Sequence, residues 1–127
     1  MNIPDKFKYT KDHEWIFINP DGEIICGITD FAQKELGDIV YVDIDTLGSF
    51  TEKEEVLGTV EAVKTVSDLF MPISGVVKEV NSELENNPQL INQDPYDGGW
   101  IIKITDYDEK TMNDLLSASE YKKLLGL

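Results

Sequence analysis

The chain has 127 residues, with 25 acidic against 11 basic side chains and a formal net charge of −14. The length suits one domain that buries most of its apolar surface, and the apolar fraction of 41% is typical of a globular protein. The charge opposes nucleic-acid phosphates and anionic membranes, so neither partner is expected, and it favours solubility and encounter with basic protein surfaces.

Cysteine and histidine each occur once, at Cys26 and His13. These counts exclude a disulfide framework and leave too few soft ligands for an ordinary zinc site, so no metal is expected. Met1 to Thr10 contains no apolar stretch of signal-peptide length, and no other segment approaches a membrane span. We therefore expect a cytoplasmic protein.

Seven stretches rich in aromatic and β-branched residues predict strands. They lie at 13–18, 23–28, 38–44, 56–63, 69–73, 76–80 and 100–104. Asn19-Pro20-Asp21-Gly22 supplies the turn that makes the first two a hairpin. Gly58 predicts a bulge or a close backbone approach within the fourth, and Pro72 marks an edge or the end of the fifth. Residues 48–55 are interpreted as a polar connection.

Helical signals are short and local. Thr29 or Asp30 can cap a helix of about two turns that Gly37 ends. Residues 81–99 predict a long ordered loop, or a loop with one helical turn. After Asp106 the apolar spacing is helical, and the capping-box pair at positions 117 and 120 predicts two short helices that meet there. Together the elements indicate a small all-β sandwich or barrel with a helical appendage.

Lys64 is the only basic residue between Lys53 and Lys78. Two β-prone runs meet there, so a hairpin would display its amine at an exposed tip. An unhindered amine on a rigid platform can be acylated, and a long flexible arm attached to it would sweep a small volume at high effective concentration. On spacing alone, an ordinary surface lysine in a turn is the commoner case.

Several blocks, in order along nearly the whole chain, closely resemble the H-protein family of the glycine cleavage system. They are Val60-Glu61-Ala62-Val63-Lys64 with Ser67-Asp68 and the run 72–77, and the runs 9–15, 27–32, 36–40 and 87–100. Biotin carriers share the hairpin but typically flank the lysine with methionine, whereas Val63 and Thr65 stand here, so lipoate is favoured. The family often has alanines where this chain has Thr65-Val66, and Tyr-Ser where it has Phe70-Met71.

The resemblance implies a mainly β, lipoyl-domain-like barrel-sandwich hybrid with a short internal helix and a C-terminal helical appendage. It implies a single lipoyl-carrier domain over 1–127, with a β core at about 9–105 and helices at about 107–125. The family suggests a monomer, with which the charge is compatible.

The function implied by the resemblance is that of a non-catalytic carrier with lipoate in amide linkage to Lys64. Glycine decarboxylase would load an aminomethyl group, aminomethyltransferase would receive it, and dihydrolipoyl dehydrogenase would reoxidise the dithiol, after a lipoylating enzyme had attached the arm. An H-like protein that relays lipoyl groups to other complexes is the alternative.

The resemblance also implies roles for residues around the lysine. Glu61, Asp68, Gly48 and Gly75 correspond to positions that the lipoylating enzyme recognises, and both glycines are expected at positive φ. The family holds its loaded arm in a surface cleft, which we expect His13 and Glu14 to line or flank, with Glu14 favouring a cationic amine by charge. A packed, hydrogen-bonded imidazole is the alternative for His13.

Two further hypotheses compete with a carrier. Cys26 and His13 could form the nucleophile and base of a thiol enzyme, although Cys26 lies in an apolar run where a thiol usually packs as a small hydrophobe. A simple interaction module that uses its acidic surface would leave Lys64 unmodified and dispensable.

Overall fold

Nine short strands dominate the fold of residues 1–127, as described by a computed structural model. Strands β1 to β9 span Lys8–Tyr9, Glu14–Ile18, Ile24–Ile28, Ile39–Ile44, Phe50–Thr51, Val56–Ala62, Val66–Phe70, Gly75–Val80 and Ile102–Thr105. Helices α1 to α3 span Asp30–Leu36, Leu90–Gln93 and Ala118–Leu124, and 3-10 helices span Ser82–Glu85 and Glu109–Met112.

The strands form two antiparallel sheets that enclose the main core. The larger sheet has the order β1-β2-β3-β9-β8-β5, and the smaller has the order β4-β6-β7. The core of 17 buried residues includes Ile24 and Ile104 from the larger sheet and Ile39 and Val60 from the smaller, and helices and connections add others, such as Leu84 and Ile91. The predicted mainly β sandwich or barrel with an internal helix is confirmed.

Helix α1 forms where the local sequence predicts it. The Thr29 side chain caps the helix by accepting a hydrogen bond from the Ala32 N–H, and Gly37 ends it at φ 81°. The helix connects β3 of the larger sheet to β4 of the smaller one. Gly37, at its end, lies close to the side chain of Lys64 between β6 and β7.

The β6–β7 hairpin keeps a regular ladder near its tip and bulges at its base. The register shifts between Val56 and Gly58, and a Cβ atom on Gly58 would lie 2.2 Å from the Asp43 carbonyl oxygen. The predicted close approach is confirmed. The fifth predicted strand was misplaced, because β7 pairs with β6 from Val66 onward and ends at Phe70, before Pro72.

Two strands escaped sequence analysis because each has only two residues. The first, β1, pairs with β2, and the second, β5, lies in the predicted polar connection and pairs Phe50 and Thr51 with Val76 and Gly75. Residues 81–99 contain a 3-10 helix and α2 rather than at most one helical turn.

The C-terminal segment carries the predicted capping box but only one α-helix. The Glu120 N–H donates to Ser117 Oγ at 3.1 Å, and the Ser117 N–H donates to Glu120 Oε1 at 2.8 Å. Two helices do not meet there, because Leu116 pairs with Tyr9 through backbone hydrogen bonds of 2.8 and 2.7 Å. No helix combines the length and apolarity that a bilayer span requires.

Candidate functional site

Lys64 lies at the exposed tip of the β6–β7 hairpin. Residues 63–66 are all exposed, with Val63 at 75%. The Ala62 N–H donates to the Thr65 carbonyl at 2.7 Å, which closes the turn. The Val63 N–H donates to the Asp38 carbonyl at 3.0 Å, which fixes the tip to the loop before β4. The Lys64 amine takes part in no hydrogen bond or ion pair within the chain. A fixed backbone therefore displays a free amine.

The stem of Lys64 runs beside the end of α1. A Cβ atom on Gly37 would lie 3.4 Å from Lys64 Cε. Gly37 also has φ 81°, a conformation in which side chains are strained. The glycine thus ends the helix and leaves space for the lysine stem.

A cleft of about 390 Å³ opens between α1 and β7. Its walls are apolar at Phe31 and Leu69 and carry three carboxylates, those of Asp12, Glu35 and Asp68. Because β7 begins two residues after Lys64, the cleft adjoins the hairpin that carries the amine. Apolar walls with acidic groups can hold a hydrocarbon arm that ends in a cation.

His13 lines this cleft in an unusual backbone conformation, with φ 67°. Its ring centroid lies 4.8 Å from that of Phe31, and its Nδ1 lies 2.8 Å from the Tyr121 hydroxyl oxygen. Burial lowers the pKa of His13, against the opposing effect of Asp12 and Glu35. The imidazole is packed and hydrogen-bonded, as the alternative expectation has it, and it also lines the cleft; that this cleft receives the arm stays a prediction.

Glu14 lies behind this cleft rather than on it. Its side chain is 3% exposed, accepts a hydrogen bond from Thr10 Oγ1 at 3.1 Å, and contributes to a neighbouring cavity of about 260 Å³. Burial raises the pKa of Glu14 well above its ordinary value, so the neutral carboxyl is favoured. The carboxylates that face the cleft itself are those of Asp12, Glu35 and Asp68.

The outer face of the smaller sheet presents the acidic residues predicted near Lys64. Tyr41, Glu61 and Val66 form one row across β4, β6 and β7, and the next outward row contains Asp68. All four are exposed, and the three strands carry no basic residue. Lys64 is therefore a single cation at the end of an acidic and partly apolar face.

The two glycines predicted near the site are required for different reasons. Gly48 has φ 84°, as expected, with open space where a side chain would be, and its N–H donates to the Val77 carbonyl at 2.7 Å. The expected positive φ at Gly75 is wrong. Gly75 is instead required by close packing, because a Cβ atom there would lie 2.6 Å from Ile104 Cγ2.

Cys26 does not form a catalytic pair with His13. Its thiol is buried in the main core, where burial raises its pKa, and its only hydrogen-bond contact is the Gly27 carbonyl at 3.9 Å. His13 Nδ1 contacts Tyr121 instead. The geometry therefore does not support a thiol enzyme.

No group of three or more His, Cys, Asp and Glu side chains is arranged to hold a metal ion.

The family profile described as "Glycine cleavage H-protein" matches residues 7–126. The chain belongs to this family. It is 50% identical to a glycine cleavage system H protein of Bacteroides thetaiotaomicron over 126 residues and 51% identical to one of Chlorobium limicola over 127, with 99% of each chain covered in both. A crystal structure of a glycine cleavage system H protein from Mycobacterium marinum superposes with a TM-score of 0.87 at 41% identity, over 98% of this chain and 100% of that one.

Membership of the H-protein family confirms the resemblance predicted from the sequence blocks. Of the predicted residues, the fold brings Asp68 and His13 to one cleft and places Lys64 and Glu61 on the adjoining hairpin. Sequence reasoning missed Asp12 and Glu35, the other two acids of the cleft. The position of Asp12 directly before His13 was the one feature of the sequence that could have indicated that Asp12 lies in the same cleft.

Proposed function

We propose that this chain is a lipoyl carrier of the glycine cleavage system and that Lys64 is its attachment residue. The observation that carries the proposal is the free, exposed amine of Lys64 on a braced hairpin, in a chain of the H-protein family. Residues 1–127 act as one carrier domain, which has no catalysis of its own.

The residues present suit a lipoyl group. A primary amine forms an amide with a carboxylic acid, and the adjoining cleft offers apolar walls for a hydrocarbon chain. When bound, the group would supply a dithiolane whose S–S bond opens as one sulfur takes up a small amine-bearing fragment, and the dithiol left after the fragment is passed on would be reoxidised by thiol–disulfide exchange. The protein's own residues contribute display at the hairpin and shelter in the cleft.

Recognition by the lipoylating enzyme is assigned to residues on and beside the hairpin. Glu61 and Asp68 face outward from β6 and β7, where a second protein that reaches Lys64 would meet them. Gly48 and Gly75 act indirectly, by fixing the backbone of the loop before β5 and of the start of β8.

Shelter of the arm is assigned to the cleft lined by His13. The carboxylates of Asp12, Glu35 and Asp68 favour a cationic amine by charge, whereas Glu14, whose pKa is raised by burial, lies in the neighbouring cavity. If Glu14 contributes, protein loaded with the amine fragment will release ammonia faster after Glu14→Ala substitution. Release no faster than in the parent would remove Glu14 from the proposal.

The partners follow from the carrier role. They are the lipoylating enzyme, glycine decarboxylase, aminomethyltransferase and dihydrolipoyl dehydrogenase, and each would meet the acidic and apolar face that surrounds Lys64. Basic contact surfaces on these enzymes would complement it, with association that slows as salt screens the charges. We further propose that the carrier works in the cytoplasm and as a monomer, because the charge of −14 opposes self-association.

Intact mass spectrometry of protein from lipoate-competent cells tests the attachment. The parent and a Lys78→Ala control, which removes an exposed lysine on β8, are expected to carry one lipoyl increment. Lys64→Ala is expected to carry none. A parent without the increment would refute the carrier, and an increment retained in Lys64→Ala would move the attachment to another lysine.

A reconstituted assay tests whether the carrier serves the glycine cleavage reaction. Glycine decarboxylase, aminomethyltransferase and dihydrolipoyl dehydrogenase are mixed with tetrahydrofolate, NAD and glycine, and NADH formation is followed. Lipoylated parent is expected to support turnover, and Lys64→Ala is not. A lipoylated parent that supports no turnover would contradict the glycine cleavage role and leave the lipoyl relay as the function.

A further inference from the structure

A buried hydroxyl chain connects the C-terminal helix to the cleft. The Tyr121 hydroxyl oxygen lies 2.8 Å from His13 Nδ1 and 2.8 Å from Thr29 Oγ1, although the residues are 108 and 92 positions apart. Tyr121 and Thr29 are both 0% exposed. Three elements thus converge on one phenol: the loop before β2, the cap of α1, and α3.

The protons of this chain can be placed by counting donors and acceptors. Thr29 Oγ1 already accepts a hydrogen bond from the Ala32 N–H at 3.2 Å, and its own proton has Tyr121 as its sole acceptor within reach. Since Thr29 is fully buried, a misdirected proton would remain unsatisfied. Thr29 therefore donates to Tyr121, and the single phenol proton of Tyr121 goes to His13 Nδ1.

We infer that Tyr121 is a positioning residue that, together with Thr29, holds His13 as the neutral tautomer with its proton on Nε2. Nε2 has no hydrogen-bond partner within the chain, so its N–H is available to an acceptor in the cleft, such as an amide carbonyl or a sulfur atom. This role rests on the proposed function insofar as the cleft receives the arm of Lys64.

The hydroxyl chain also opposes protonation of the imidazole. A proton on Nδ1 would force Tyr121 to donate to Thr29, whose own buried proton would then lack an acceptor. Two charged groups act in the other direction and raise the pKa of the ring, Asp12 from the preceding loop and Glu35 from α1, while Asp68 of β7 lines the same cleft.

The remaining neighbours of the ring add no cation. Glu14 of β2, whose pKa is raised by burial, does not line the cleft, and Phe31 of α1 packs against the His13 ring. A neutral His13 leaves the charge of the three cleft carboxylates uncompensated. The cleft therefore stays attractive to a cationic amine, which an imidazolium would repel.

The prediction is testable because His13 is the only histidine in the chain. Two-bond nitrogen–proton NMR spectra of the ¹⁵N-labelled, unmodified full chain report its tautomer and its titration directly. In the parent, Nδ1 is expected to be unprotonated and Nε2 protonated. Tyr121→Phe is expected to populate both tautomers and to raise the pKa of His13, because the donor that stabilises the neutral ring is lost.

Tyr9→Phe is the matched control. The Tyr9 ring stacks on that of Tyr121 with centroids 4.8 Å apart, but the Tyr9 hydroxyl donates to the Pro4 carbonyl. Removal of the Tyr9 hydroxyl is therefore expected to leave the tautomer and the titration of His13 unchanged. A parent with the proton on Nδ1, or a Tyr121→Phe variant with the parent's tautomer and titration, would overturn the inference.

A second pair of variants covers the case in which Tyr121→Phe does not fold. Thr29→Ser keeps the hydroxyl and is expected to keep the parent pattern. Thr29→Val is expected to raise the pKa of His13, because loss of the hydrogen bond from Thr29 makes the phenol a weaker donor to Nδ1 and frees its oxygen to accept from a protonated Nδ1. Equal pKa values in the two variants would overturn the inference. Failure of Lys64 lipoylation, by contrast, would refute the carrier function and leave the tautomer of the unmodified chain as it is.

Discussion

Glu14 makes the stability of this protein depend on pH in an unusual direction. Its folded-state pKa is raised well above the ordinary value of 4.5 by burial, against a hydrogen bond from Thr10. Above pH 4.5 the unfolded chain releases the proton while the folded chain retains it. The stabilising contribution of the neutral carboxyl is therefore complete below that pH and is lost as the pH rises toward the folded-state pKa.

Glu14→Gln removes this titration but keeps an oxygen that can accept from Thr10. One retained proton corresponds to a slope of about 1.4 kcal/mol per pH unit in the free energy of unfolding. The difference between variant and parent is therefore expected to grow in favour of the variant, at up to about that slope, as the pH rises above the ordinary value for glutamate.

Urea unfolding at intervals from pH 4 to 8, followed by the fluorescence of Trp15 and Trp100, measures this difference. Subtracting parent from variant cancels the other titrating groups, including His13, whose lowered pKa acts in the opposite direction. Glu23→Gln is the matched control. Lys78 lowers the pKa of Glu23, so its contribution is lost only as the pH falls and its difference is flat above pH 5. A flat difference for Glu14→Gln would refute the argument.

Three further predictions concern packing and capping. Gly58→Ala places a Cβ atom 2.2 Å from the Asp43 carbonyl oxygen and is expected to lower the free energy of unfolding in urea by about 3 kcal/mol or more. The control Gly22→Ala meets no atom within 4 Å and is strained only by φ 80°, so it is expected to cost about 1 kcal/mol. Equal losses in the two variants would contradict the clash. Cys26 is expected to react with a thiol reagent only in denaturant, and rapid reaction of the folded chain would show that the core opens. Ser117→Ala removes one side of the capping box and is expected to lower the free energy of unfolding by about 1 kcal/mol. An unchanged melting temperature in thermal unfolding would contradict this prediction.

The sequence by itself determined the features that depend on neighbours along the chain. The hairpin turn at 19–22, the cap at Thr29 and the capping box at Ser117 use side chains within a few residues of the backbone groups that they satisfy. The exposure of Lys64 followed in the same way, because two β-prone runs that meet at one residue form a hairpin whose tip is solvated. The ordered family blocks then indicated the carrier.

Only the tertiary structure decided the features that require distant partners. Strands as short as β5 are stable only because another strand supplies their hydrogen bonds, and Gly75 is required by contact with Ile104 rather than by its own φ. The cleft is assembled in the same way. His13 meets Tyr121 across 108 positions, and Glu14 changes from an expected surface charge into a buried acid whose pKa is raised because the fold removes it from water. Solvent exclusion and long-range packing are properties of the assembled fold, so local spacing does not encode them.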